Sequence, residues 1–138
     1  MKIDKHWERL RLTENFRLGE CVISSTRPDL EIKPTEEQAE YLYLMCVFLL
    51  QPVRDRFGPT RITSGLRSTE LNKLVGGVPT SQHVTGKGVD FKCTEKMHIV
   101  YEWIIDELNW RGELILYQKH IHCGFPEYDL GVMRKIIT

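Results

Sequence analysis

The sequence is poor in several things. It has no net charge, since its 138 residues carry 19 acidic and 19 basic side chains. A nonspecific nucleic-acid binder needs a basic surplus to displace counterions, so that class is excluded, apart from a local patch. No apolar run is long enough to span a bilayer. The N-terminal "MKIDKHWERLRL" is too charged for the apolar region of a secretory leader. The chain therefore reads as one made in the cytoplasm, and a substrate outside the membrane would have to be reached by some other route of delivery. There is no CxxC pair. Cysteines stand alone at 21, 46, 93 and 123, which fits small buried hydrophobes in a reducing compartment better than a zinc ribbon or disulfide framework. Repeats, low-complexity tracts and linkers are also missing. The length suits a single domain over residues 1–138, with 1–15 as a potential N-terminal extension.

What is present divides into helices first and strands mainly later. "FRLGE" offers Phe16 and Leu18 as anchors on a core. A long helix is expected from Thr35, a good N-cap followed by Glu36 and Glu37 at the positive end of the helix dipole. Apolar residues at 42, 45, 46, 49, 50 and 53 recur at helical spacing; Pro52 is expected to kink the last turns and Gly58-Pro59 to end them. "TRITS" reads as a strand and "STELNKLV" as a short helix capped by Ser68. "GVDFKC" is a strand, and "EKMHIVYEWIIDELN" a second long helix whose His98 reads as a surface residue. "ELILYQ", "HIHCGF" and "MRKII" close the chain as strands, with "PEYDLG" as a turn. The expected class is α+β, with helices packed on a small, mainly antiparallel sheet.

One stretch does not fit a plain core. In "SQHVTGKGVDF", Asp90 sits between Val89 and Phe91 in an otherwise buried strand, seven residues after His83. Zinc sites that perform chemistry use three protein ligands and leave one position open. His83, Asp90 and His122 would supply two imidazoles and a carboxylate, with Gly86 and Gly88 letting the chain turn between the first two. On a strand, His120 and His122 project to one face and Ile121 to the other. If that strand continues backward, Gln118 shares their face and Tyr117 does not. A plainer reading keeps His83 and Asp90 as a buried hydrogen-bonded pair with no metal.

Taken together, "FRLGE", "LLQPVRDRFG", "ITSGLRSTELNKLVGG", "SQHVTGKGVDF" and "HIHCGF" resemble the zinc D-Ala-D-Ala carboxypeptidases and related peptidoglycan endopeptidases, particularly the short single-domain members of bacteria and their phages. The likeness runs from about Phe16 almost to the C-terminus. Its S-x-H-x-x-G-x-A-x-D signature appears with Gly88 in the alanine place. The resemblance implies one zinc ion on His83, Asp90 and His122, and a peptidoglycan stem peptide as substrate, cut next to a D-amino acid. It also implies that Arg67 holds a substrate carboxylate or polarised carbonyl, a role that suits its planar fork, although a structural ion pair is the plain alternative. Ser81 and Gln82 would line the same cleft.

The family also uses an acid near the last ligand to take a proton from water. The corresponding places here are Lys119, Gln118 or Tyr117, none of them an acid. Glu113 is the nearest carboxylate, but parity counted along one continuous strand puts it on the face away from His122 unless a bulge intervenes. His120 is then the candidate for proton transfer or for stabilising the oxyanion. "HIHC" is also similar to hedgehog signalling domains, which share the zinc fold and serve mainly in binding. A zinc-containing module that binds cell-wall peptide or a protein partner without cutting is the rival reading.

Overall fold

The computed structural model describes residues 1–24, 27–126 and 134–137. Near the N-terminus, β1 (Arg11–Thr13) and β2 (Phe16–Arg17) form a small antiparallel ribbon. Phe16 and Leu18 are buried as anchors, and Leu12 joins the same core, with Trp7 and Leu10 packed against it.

The helix expected after Thr35 is one rod in three parts: α1 (Glu36–Met45), a π-helical stretch (Cys46–Leu50) and α2 (Gln51–Phe57). Thr35 accepts from the Gln38 backbone N–H at 3.1 Å, and the Gln38 side chain accepts from Thr35 N at 3.0 Å, a reciprocal cap. The widened turn stands immediately before Pro52, whose ring cannot donate to the ladder and crowds the carbonyl four residues back. Gly58 ends the rod at φ +90°. Leu42, Met45, Cys46, Leu49, Leu50 and Val53 are all fully buried, the six positions that the helical spacing marks.

Five strands make the main sheet: β3 (Thr60–Ser64), β4 (Gly88–Cys93), β5 (Leu114–Leu116), β6 (Ile121–Gly124) and β7 (Arg134–Ile136). Their order is β3-β4-β6-β5-β7, antiparallel except for the parallel β5–β7 pair. The fold is α+β with a mainly antiparallel sheet, as expected. Val89, Phe91, Ile121, Cys123 and Leu114 join the helical rod in one core. Alternation along β4 and β6 turns Asp90 and His122 to the opposite face. Two short helices lie between β3 and β4: α3 (Thr69–Leu74), capped by Ser68, and α4 (Gln82–Thr85). The second long helix comprises α5 (Met97–Trp103) and a π-helical stretch (Ile104–Leu108). Val100 and Ile104 of this helix are buried, and His98 is exposed. The expected "PEYDLG" turn falls mainly on 127–131, outside the described residues.

Gly65, at the end of β3, joins the region of the short helices to the core. Leu66 N donates to Cys21 O at 2.8 Å, and a Cβ on Gly65 would fall 1.8 Å from that carbonyl. Backbone on both sides leaves no flexible atom to yield. Gly65→Ala is therefore expected to destabilise the protein by about 1–3 kcal/mol, as overpacking does, seen as a lower urea midpoint at unchanged slope. A midpoint equal to that of the parent would show that the 21–66 contact is not fixed.

Candidate metal centre

The centre is built from a helix turn and two neighbouring strands. His83 rides on α4. Ser81 caps this single turn, and Gly86 ends it in the left-handed region at φ +82°. Asp90 and His122 are directly paired residues of β4 and β6. His83 Nε2 and His122 Nδ1 lie 3.2 and 2.8 Å from the same atom, Asp90 Oδ1. The donor atoms of the three residues all lie within 4.8 Å of one another. Two imidazole nitrogens and one carboxylate oxygen, with the far ring nitrogens already engaged, are the donor set of a zinc centre with an open position. His83 Nδ1 donates to Gly65 O at 2.8 Å, which leaves Nε2 turned to the centre.

Burial alone would push the Asp90 carboxyl up. Hydrogen bonds from His122 and His83, and their charge, outweigh it and hold the group well below the usual carboxylate range. Burial likewise works to lower the His122 imidazole, but hydrogen bonds to Asp90 and Glu113, with their charges, lift it to about 9. Without a metal, His122 is thus an imidazolium clamped between two carboxylates. His120 Nε2 stands 3.9 Å from Asp90 Oδ2, and its imidazole is lowered chiefly by burial.

An open cleft of about 470 Å³ sits over the centre. Arg67, Ser81, Gln82, Glu113, Tyr117 and His120 line it together with the three metal-site residues. Arg67 Nη2 is 3.9 Å from Asp90 Oδ2, its Nε donates to Ser64 Oγ at 3.1 Å and its Nη1 to Asn72 Oδ1 at 3.3 Å. The guanidinium is thereby held at the cleft wall. The Gln82 side chain runs over two paired glycines: a Cβ on Gly88 would meet Gln82 Cβ at 3.0 Å, and one on Gly124 would meet Gln82 Oε1 at 1.8 Å.

Two expectations about side-chain facing are corrected. Glu113 is on the same face as His122, and its Oε1 accepts from His122 Nε2 at 2.8 Å. The parity count takes 113 to 122 as one strand, whereas β5 and β6 are separate antiparallel strands closed by a turn in which Tyr117 N donates to His120 O at 2.9 Å. No bulge is needed, because the turn restarts the alternation. The same turn reverses the Tyr117–Gln118 assignment. Tyr117 lines the cleft and stacks on His120 with centroids 4.5 Å apart, while Gln118 is exposed and borders a separate depression with Met97 and Ile136. The missed signal was the "YQKH" turn between two apolar runs.

A comparison with protein families matches residues 23–124 to Peptidase M15. The match covers well over half of the chain, which therefore belongs to this family, that of the zinc D-Ala-D-Ala carboxypeptidases. No curated protein sequence matches it. No helix among the described residues is long and apolar enough to cross a membrane.

The clamp on His122 makes the metal-free protein sensitive to pH. The raised imidazole contributes stability that is complete below its ordinary value of 6.5 and is lost as pH rises through about 9. The lowered Asp90 contributes above its ordinary 3.8 and loses that contribution in strong acid. In the presence of a chelator, urea unfolding is expected to show a decline of up to about 3 kcal/mol between pH 6.5 and 9, at about 1.36 kcal/mol for each pH unit crossed. Saturating zinc should flatten this decline, since the metal replaces the Nδ1 proton. A flat profile without metal would refute the clamp.

Proposed function

We propose that this chain is a zinc-dependent peptidase that hydrolyses an amide bond next to a D-amino acid in peptidoglycan stem peptides. The observation that carries the reading is the convergence of His83, Asp90 and His122 on the floor of a cleft whose wall holds Arg67. Membership of a peptidase family supports it. When bound there, zinc would polarise the scissile carbonyl and make water acidic enough to attack near neutral pH.

The chain's own groups supply the rest. Arg67 is tethered through Ser64 and Asn72 with its fork toward the cleft, so it meets a substrate carboxylate without first being ordered. Ser81 and Gln82 border the path along which the peptide would lie. His120, half-buried and stacked on Tyr117, is placed to donate to a developing oxyanion or to carry a proton to the leaving amine. Gln118, turned out of the cleft, takes no part.

The second reading, a zinc-containing module that binds cell-wall peptide or a protein partner without cutting, draws support from one feature. The residues at the end of β5 and in its turn are Tyr117, Gln118 and Lys119, so no acid stands there.

Mass spectrometry of stem peptides incubated with zinc-loaded protein decides between the two. Release of D-alanine or scission of a cross-link, absent with Asp90→Ala, is the expected result. His120→Ala should then lower kcat by about 10²–10³-fold with zinc content unchanged. Intact peptides from protein shown to contain zinc would establish the binding module instead.

A further inference from the structure

The two imidazoles of the centre are oriented by unlike partners. The outer nitrogen of His83 meets a neutral carbonyl, Gly65 O, at 2.8 Å. The outer nitrogen of His122 meets a carboxylate, Glu113 Oε1, also at 2.8 Å. Glu113 itself is set by its backbone: its carbonyl accepts from Gly124 N at 2.8 Å and from Trp110 Nε1 at 3.3 Å, which registers residue 113 opposite the end of β6. Ile115 pairs with His122, and alternation brings Glu113, two residues earlier, onto the same face at the cleft edge.

An imidazole has two nitrogens, and the one that binds metal is decided by the hydrogen bond made by the other. For His122, Nδ1 is the atom facing Asp90, 2.8 Å from its Oδ1. A proton retained on Nε2 and donated to Glu113 leaves the Nδ1 lone pair for the metal. A carboxylate acceptor also makes the ligating nitrogen more electron-rich than a carbonyl would. Its charge matters too: Asp90 and Glu113 together carry two negative charges, which balance a divalent ion.

We infer that Glu113 is the positioning residue of the centre, holding His122 as the tautomer that presents Nδ1 to a divalent metal, and that it is not the proton-accepting base. This deepens the zinc reading above and rests on it. Glutamine keeps the acceptor oxygen but cannot accept a proton from water, whereas alanine removes the acceptor.

Zinc affinity, measured by competition with a chromophoric chelator, separates the roles. Glu113→Ala should weaken zinc about 10–100-fold. Glu113→Gln should recover most of that loss and keep turnover within about tenfold of the parent. In the zinc-loaded parent protein, nitrogen NMR should show His122 carrying its proton on Nε2. Circular dichroism of each variant reports whether it folds, and Glu113→Gln preserves the test if the alanine variant does not. Equal zinc affinity in the parent and Glu113→Ala would overturn the inference. So would a Glu113→Gln variant that binds zinc like the parent yet loses turnover by more than about 10³-fold, which would make Glu113 the base. Failure of the parent to bind zinc at all would instead sink the metal reading itself, and this inference with it.

Discussion

A carboxylate in the middle of a buried strand must be compensated, and the compensation of Asp90 organises this protein. Its side chain is 14% exposed and takes both His83 and His122 on a single oxygen. Desolvation would otherwise neutralise such a group. Each neighbour that prevents this arrives by a different structural route. His122 arrives by direct pairing across β4 and β6, and His83 by a one-turn helix ended by Gly86. The geometry suited to a cation is thus the same geometry that makes the bare sheet tolerable. In the absence of a metal, a proton on His122 fills part of the cation's electrostatic place.

The sheet separates two jobs. On the inner face, Val89, Phe91, Ile121 and Cys123 meet the long helical rod and supply the apolar burial that holds the fold together. Asp90 and His122 alternate with them on the other face, so their positions are as rigid as the core beneath. Glu113 benefits from the same frame through β5. Donors mounted on packed strands lose little freedom when they bind, which favours a defined coordination geometry.

Much of this was legible in the sequence because the relevant signals are local. Thr35 with Gln38, Ser68, and the 42–53 spacing each act within a few residues, and each formed the expected structure. The pairing of Asp90 with His122 was reachable because both lie in short apolar runs with clear alternation. What escaped depends on where a strand stops. The facing of Glu113, Tyr117 and Gln118 is set by a tight turn at 117–120 that carries neither glycine nor proline. Without such punctuation, parity is carried through the turn and every residue before it is assigned to the wrong face. The π-helical stretches escaped as well. Apolar spacing at 46, 49 and 50 suits a regular helix equally; Pro52 follows that wider turn, but Ile104–Leu108 widens with no proline near it.

The glycine pair beneath Gln82 bears on which ion the cage would prefer. Gln82 precedes His83 on α4, and its side chain rests in the space that two missing Cβ atoms leave on β4 and β6. The separation between that helix and the sheet is therefore set by carbon atoms the chain does not have. A methyl group at 124 would meet the flexible end of Gln82, its Oε1 at 1.8 Å, and displace that amide, whereas one at 88 would press on the Gln82 Cβ and backbone carbon at 3.0 and 3.2 Å and push α4, with His83, outward. Zinc demands short bonds to nitrogen, so a cage opened on one side would shift its preference toward larger, oxygen-seeking cations. The spacing of the three candidate ligands thus depends on backbone clearance beneath Gln82 as well as on the ligands themselves.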